Sequence, residues 1–464
     1  MARLALGCVT WAERWVPDAF VFALIGTLLI VGAALIWTPS PLGAIVDAWG
    51  QGFWELIPFT LQMALIIITG HVLASSGPVR LAIHRLASWP THPRSAVALV
   101  TVFALVTSWF NWGFSLIFSA VLARQVARNV AGVDYRALAA ASFLGLGSIW
   151  AQGLSGSAAL QMATPGALQP AIRTIVAAGS TVPDGVIPLR HTIFLWESLF
   201  AVAVEIAIVT AVMWMATPSA ARARTAAQLG IDLNLADSTT PGRPSHLHPG
   251  QWLEHSPILT GIIVALGTGY VIRVFASASD PLSALTLNLL TFIFLIAGMA
   301  LHGTPSRLMH AIREATPSVW GIILQFPFYA GMAAVITSTH LNERLAQLFV
   351  GISNRTTYPA LVALYSAVLG VFVPSGGTKW VIEAPYVMAA AHELKVHLGW
   401  VVVSYDLGEA LANLVQPFWM LPILGMFRLG ARDVMGFTLP VFLVLFPVVM
   451  LLVTVLGRAL SYPL

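Results

Sequence analysis

The sequence predicts an all-α polytopic membrane protein, and three observations carry that prediction. Hydrophobic residues make up 58% of the chain and charged residues only 9%, where soluble domains carry roughly 25% charged residues. Apolar runs of about 18 residues or more recur along the whole length, each sufficient to cross a bilayer as a helix. In lipid only helices and closed barrels satisfy their backbone groups, and runs this long and uniformly apolar read as helices. A soluble globular fold is excluded. The first strong apolar stretch, near Phe20, is long enough to span and does not read as a cleavable signal peptide. The single cysteine, Cys8, rules out an internal disulfide and a cysteine cluster for metal.

Taken in order, the first half covers 1–216, with spans over 18–37 and 56–75, a re-entrant hairpin over 96–127, a broken helix over 137–165 and a span over 194–216. A polar linker over 217–255, rich in proline, reads as a cytoplasmic hinge with a short helix around Ala220–Leu229. A connecting span over 256–276 follows. The second half, 285–464, repeats the order: spans over 285–302 and 317–337, a hairpin over 358–392, a broken helix over 398–427 and a span over 434–457. That amounts to about nine transmembrane helices plus two hairpins.

Short matches support a repeat. Thr38-Pro39-Ser40 precedes Trp54 by 16 residues and Thr304-Pro305-Ser306 precedes Trp320 by the same 16, each followed by a Leu-Gln pair, Leu61-Gln62 and Leu324-Gln325. With the N-terminus in the cytoplasm, 15 basic residues fall inside and 7 outside, Lys379 lying within the membrane. This is the expected positive-inside bias.

The hairpins are read from interrupted runs. Ala98–Phe110 and Phe114–Val126 flank Asn111-Trp112-Gly113; Leu361–Val373 and Trp380–Ala391 flank Pro374-Ser375-Gly376-Gly377. Segments of about 13 residues reach only ~20 Å and cannot cross a ~30 Å core. Under the assigned orientation the two hairpins enter from opposite sides, so the halves form an inverted repeat. Paired interrupted segments in inverted halves point to a transporter's binding site.

Gly113, Gly376 and Gly377 suit a tight turn close to a ligand, while Asn111, Trp112, Ser375 and Thr378 complete the two tips. Amide groups at a half-helix start attract a carboxylate, and carbonyls at a helix end attract a cation. Lys379 is the most informative ionisable residue. A lysine near mid-membrane costs at least ~2.5 kcal/mol and needs a partner or a task. The tasks open to it are attraction of a substrate carboxylate, substitution for a coupling cation, or proton exchange; the structural alternatives are snorkelling or a pair with Glu383. Asp406, Glu409, Asn413 and Gln416 form a polar stripe on the second broken helix, and Glu409 reads either as an ion ligand or as the partner of Lys379. Ser155, Gly156, Ser157 and Thr164 are the small polar counterparts in the first half. His71 is a further proton or charge candidate, and Asp406 and Glu383 share that role. Short apolar cargo would suit Trp112, Phe114 and Trp380.

There is no Walker A pattern, no HExxH, no nucleophile elbow and no acid, base and metal cluster. ATP-driven pumping and a membrane-embedded enzyme are disfavoured. A passive monocarboxylate or anion channel, and a carrier of a different small carboxylate, are the remaining alternatives to a secondary transporter.

Several blocks resemble the bacterial short-chain fatty acid transporter family: Trp49-Gly50-Gln51-Gly52-Phe53-Trp54, Thr69-Gly70-His71, Asn111-Trp112-Gly113-Phe114, Gln325-Phe326-Pro327-Phe328-Tyr329-Ala330-Gly331, Val373-Pro374-Ser375-Gly376-Gly377 and Gln416-Pro417-Phe418-Trp419. The likeness is co-linear from about Trp15 to Gly436. It implies a cytoplasmic-membrane importer or exchanger of small monocarboxylates such as acetoacetate or butyrate. It further implies membership of a wider superfamily of ion-coupled carboxylate carriers: dimers with a scaffold and a moving domain, coupled to Na+ or H+, with no other cofactor and no metal beyond a sodium ion at the tips. One departure stands out. Where the family continues its second tip as Gly-Gly-Gly-His-Trp, this chain reads Gly376-Gly377-Thr378-Lys379-Trp380. A permanent cation replaces a histidine, and Asp406, foreign to the family pattern, is its candidate counter-charge.

Overall fold

The computed structural model describes residues 19–464 apart from 55–56, 164–169, 178–181, 183, 234–247, 279–286, 342–343, 345–350 and 373–375, and before residue 19 only residues 3, 7, 10 and 14. All regular elements among the described residues are helical. The apolar runs become α1 (Ala19–Trp37), α2 (Leu42–Gly52), α3 (Ile57–Ala74), α4 (Gly77–Ala87), α5 (Pro93–Phe110), α6 (Trp112–Asn129) and α7 (Tyr135–Leu144). Then come α8 (Ser157–Ala163), α9 (Pro170–Val176), α10 (Trp196–Ala216), α11 (Pro249–His255), α12 (Pro257–Ser277), α13 (Leu287–His302), α14 (Pro305–Ala315) and α15 (Trp320–Ser338). The chain closes with α16 (Tyr358–Phe372), α17 (Gly376–Glu393), α18 (Leu398–Ala412), α19 (Leu421–Phe427) and α20 (Ala431–Gly457).

Local chemistry fixes many boundaries. Proline, which needs no amide partner in the first turn, opens α5, α11, α12 and α14. Asn111, Asp134 and Ser256 cap α6, α7 and α12 through side-chain oxygens that accept first-turn amides. Asp134 also accepts from the Arg224 amide at 3.1 Å, and Tyr135 donates its amide to Arg224 O at 2.9 Å. The start of the linker, 217–233, is therefore docked on the α6–α7 corner. The helix expected around Ala220–Leu229 shrinks to a single 3-10 turn, Ala227–Leu229, ended by Gly230 in the left-handed region at φ 70°.

The helices sort into two groups. α1, α2, α3, α12, α13, α14 and α15 pack mainly on one another, while α5–α10 and α16–α20 build the other group. The groups meet where α3 lies on α6 and α15 on α19. α12 is apolar and largely exposed, with Ile262, Leu266 and Ile272 facing outward as on a lipid-bathed helix.

Helix lengths differ from the expectation in both hairpins, α17 of the second reaching 18 residues, and most in the first. α5 and α6 fold back on each other, with Ser115 Oγ donating to Ala104 O at 2.7 Å. Each has 18 residues, so each reaches ~27 Å rather than ~20 Å. The proline start and the His92–Ser95 capping box extend α5 backwards, and α6 runs on past Val126. α5 is by itself long and apolar enough to cross a membrane, as are α10, α12 and α20 among the described residues. The first turn also differs. Gly113 is an ordinary residue of α6, and the chain reverses at Asn111 with φ −158° and ψ 121°, extended backbone that asparagine adopts freely. Its side chain then caps the helix that follows, a task glycine cannot perform.

Candidate functional site

Two breaks in two further helices meet the hairpin tips. α7 continues into a π-helical turn, Gly145–Ile149, then a 3-10 turn, Trp150–Gln152, before α8 begins at Ser157. A π-bulge in a buried helix commonly marks a functional position. Close backbone approach explains the glycines. A Cβ on Gly145 would stand 2.2 Å from Ala104 O, and one on Gly153 would stand 2.1 Å from Trp109 O. α18 likewise ends at Ala412 and resumes through Phe418–Met420 into α19.

Each hairpin is bonded to the broken helix of its own half. At the first tip, Leu154 donates its amide to Trp109 O at 2.7 Å and Trp112 donates its amide to Ser155 Oγ at 3.0 Å. Asn111 Oδ1 accepts from Phe114 N and Asn111 O from Ser115 N, both at 3.0 Å. Gly113 N–H is then the first-turn amide left without an acceptor among the described residues.

At the second tip, Lys379 is fully buried at 0% exposure and forms an ion pair with Glu409. Its Nζ also donates to Ser366 O at 2.7 Å and Ser366 Oγ at 3.0 Å, and lies 4.8 Å from the Tyr405 ring centroid. Ser366 Oγ donates to Tyr405 O, and Tyr405 donates its hydroxyl to Gly376 O, both at 2.8 Å. One ammonium thus ties α16, α17 and α18 together. Its Nζ is held by two hydrogen bonds to Ser366 and by the ion pair to Glu409, so in this conformation Lys379 braces the tip rather than facing a ligand.

The two halves are joined across the centre. Asn413 Nδ2 donates to Leu146 O at 2.9 Å, inside the first π turn, and Gln416 Nε2 donates to Asn413 Oδ1 at 2.9 Å. Gln161 Nε2 donates to Gly377 O at 3.0 Å. A Cβ on Gly376 would stand 3.1 Å from the Trp150 ring, and Trp150 and Trp112 both pack on Trp419, at 6.4 and 5.5 Å between ring centroids. Trp419 and Trp150 together therefore form an aromatic chain from Trp112 of the first tip to Gly376 of the second.

Of the residues expected here, Asn111, Trp112, Gly113, Ser155, Gly156, Gly376, Gly377, Lys379, Glu409, Asn413 and Gln416 lie in this network or directly beside it. Ser375 and Thr164 lie outside the described residues, as do the side chains of Ser157 and Thr378. Of the three candidate partners of Lys379, one forms the pair. Neither Asp406 nor Glu383 pairs with Lys379 among the described residues; Glu409 does. His71 lies in the last turn of α3 within electrostatic reach of Arg124. Arg124 is 13 residues along α6 from Asn111, about 20 Å away, so His71 is remote from the tips. The aromatic lining also differs. Phe114 stacks on Phe118 and edges against Phe294 of α13, and Trp380 sits in a separate core against Tyr405. Trp150 and Trp419 take their places beside Trp112. Trp419 stands in the Gln416-Pro417-Phe418-Trp419 block, a signal the sequence carried. Trp150, Ser366 and Tyr405 had none.

A second polar pair lies deeper in the first half. Gln152 Nε2 donates to Glu205 Oε1 at 2.8 Å, linking the 3-10 turn to α10, with both side chains buried.

The sequence pattern of the family described as Short chain fatty acid transporter matches residues 1–456. An Escherichia coli (strain K12) protein named as a candidate short-chain fatty acid transporter is 38% identical over 440 residues, covering 94% of this chain and 96% of that protein. A Haemophilus influenzae protein of the same name is 34% identical over 452 residues, covering 96% of this chain and 99% of its own. Among solved structures, the Alcanivorax borkumensis YdaH transporter is similar over 96% of this chain and 99% of that one, with 16% identity and a TM-score of 0.45. The family and the two relatives carry the names of transporters, not enzymes.

Proposed function

Because the chain belongs to the short-chain fatty acid transporter family and is a multi-pass membrane protein, we propose that it is a secondary active transporter of small monocarboxylates, acetoacetate or butyrate among them, working by alternating access. The observation that carries this reading is the meeting of two helix-breaking tips and two broken helices around Trp112, Trp150 and Trp419. The substrate carboxylate binds at the Gly113 amide and the positive end of α6. Its short apolar tail lies on the tryptophans, where burial is worth ~0.8 kcal/mol per methylene.

α5–α6 and α16–α17 act as two re-entrant hairpins of an inverted repeat. Being bonded to their broken helices, they move as one body against α1–α3 and α12–α15. An apolar cavity of ≈ 330 Å³ between Leu29 and Trp37 of α1 and Tyr365 and Phe372 of α16 makes the boundary between the bodies loose. The protein works as a homodimer in the bacterial inner membrane, N-terminus in the cytoplasm, and couples to H+ or Na+.

Uptake of radiolabelled acetoacetate into proteoliposomes tests this. A carrier shows saturable uptake and accelerated counterflow when unlabelled substrate is loaded inside. Linear, non-saturating flux without counterflow would instead establish a passive anion channel. Trp419→Ala is expected to raise the KM with little change at saturation, because it removes contacts made equally by bound and moving substrate.

A further inference from the structure

The ion pair at the second tip leaves two buried carboxyl groups unaccounted for. Glu383 lies one helical turn past Lys379 on α17 at 1% exposure, and neither of its oxygens has a hydrogen-bond partner among the described residues. Asp406 on α18 is 2% exposed and its Oδ2 has none either. Both are within electrostatic reach of Lys379, and Glu409 is within reach of both. The helices packed on α17 bring few other titratable groups to them. α16 brings Tyr365, α18 brings Tyr405 along with Asp406 and Glu409, and α8 has no titratable residue. α9 carries Arg173, which is exposed and donates to Asp184 O at 3.3 Å.

One ammonium balances one carboxylate. With Lys379 and Glu409 neutralising each other, ionised Glu383 and Asp406 would each stand as an uncompensated charge in a dry interior, at a cost of several kcal/mol apiece. A bound cation or a bound proton removes that cost. The neighbouring ammonium repels a metal cation and is indifferent to a neutral carboxylic acid.

We propose that Glu383, with Asp406 as a second buried carboxyl in reach of the same Lys379–Glu409 pair, is the proton-binding site that couples carboxylate movement to the proton gradient; the proposal rests on the transporter reading above. A proton taken from water on the outer side forms the O–H bond of the Glu383 acid, and the same bond breaks to release the proton inside. No redox partner is involved. The charge count also supplies a latch. While Glu383 is neutral, Lys379 holds Glu409 and thereby fixes α17 to α18. Once Glu383 ionises, it competes for Lys379 at the i,i+4 spacing within α17, and the brace between hairpin and broken helix loosens.

The test uses the full-length protein in liposomes, with radiolabelled acetoacetate as probe and protein-free liposomes as the baseline for passive permeation. An inward proton gradient drives accumulation by wild type and a sodium gradient does not. Glu383→Gln keeps counterflow but loses gradient-driven accumulation by roughly tenfold or more, within the 5–150-fold range of ordinary coupling between sites. Glu383→Asp, which retains the acid, restores it. If Glu383→Gln fails to fold, Asp406→Asn is read in its place and is expected to weaken accumulation in the same direction. Full proton-driven accumulation by Glu383→Gln, or sodium-driven accumulation by wild type, overturns the proton site. Absence of carboxylate counterflow in wild type instead overturns the transporter reading.

Discussion

Replacing Lys379 with methionine removes an ammonium from a site where it has Glu409, Ser366 O, Ser366 Oγ and the Tyr405 ring as neighbours. Methionine nearly fills the same volume, so packing contributes little. What remains is electrostatic. Glu409 becomes a buried carboxylate with no cation, and its Oε1 already lacks a hydrogen-bond partner among the described residues. Breaking a buried pair in this way costs ~3–5 kcal/mol. Glu409→Gln should cost less, about 1.5–3 kcal/mol, the worth of a hydrogen bond to a charged group, because Lys379 keeps both Ser366 acceptors and has Glu383 one turn away. The double variant, Lys379→Met with Glu409→Gln, carries neither charge. It should therefore be more stable than the sum of the singles predicts by roughly 2 kcal/mol. Reversible unfolding in mixed micelles, followed by tryptophan fluorescence, measures all three. The Lys379→Met deficit should also shrink as pH falls, since protonation neutralises the stranded carboxylate. Strict additivity of the two single variants would refute the reasoning, because charges that do not couple are not a buried pair.

Two further outcomes follow from the packing and the caps. Gly408→Ala puts a Cβ 2.0 Å from Ala363 O, where α18 crosses α16; overpacking of this kind should destabilise by about 1–3 kcal/mol, whereas Gly43→Ala, with open space around it, should be neutral or mildly stabilising in the same unfolding assay. His397 caps α18 ahead of its membrane-spanning stretch by accepting the Trp400 amide on Nδ1 at 3.0 Å, and burial, reinforced by nearby His191, pushes its pKa down from 6.5 to about 4. The neutral form is the folded form, so this stabilisation is complete above pH 6.5 and lost as pH falls towards 4, up to about 3 kcal/mol in all. His397→Asn keeps a cap and should flatten that part of the stability curve between pH 4 and 7; an unchanged pH profile would remove His397 as its source.

How much of the site could be read in advance depended on how local its causes were. The interruption at Asn111 and the ionisable residues Lys379 and Glu409 were visible because each violates an otherwise apolar run. Within the Asn111-Trp112-Gly113 break the glycine advertises the flexibility of a turn, whereas Asn111 turns the tip by a cap visible only once α6 exists. The partner of Lys379 was undecidable between Glu383 and Glu409. Spacing favours Glu383, four residues on, but the contact of α17 with α18 brings Glu409, thirty residues on, to the ammonium instead. Ser366 and Tyr405 had no signature, being an ordinary serine and tyrosine until α16 and α18 crossed.

The sequence by itself determined that this chain lives in lipid as a set of helices, where those helices start, and that two of its hydrophobic stretches break. Those properties come from the solvation of each segment and from the few residues at its ends. Which groups face one another at the breaks was decided only by tertiary structure. Trp419 came to join Trp112 to Trp150, Asn413 came to bond Leu146 O, and Glu383 was left without a hydrogen-bond partner among the described residues. Such pairings depend on how helices distant in sequence rotate and cross, and the crossing is set by the summed packing of all of them.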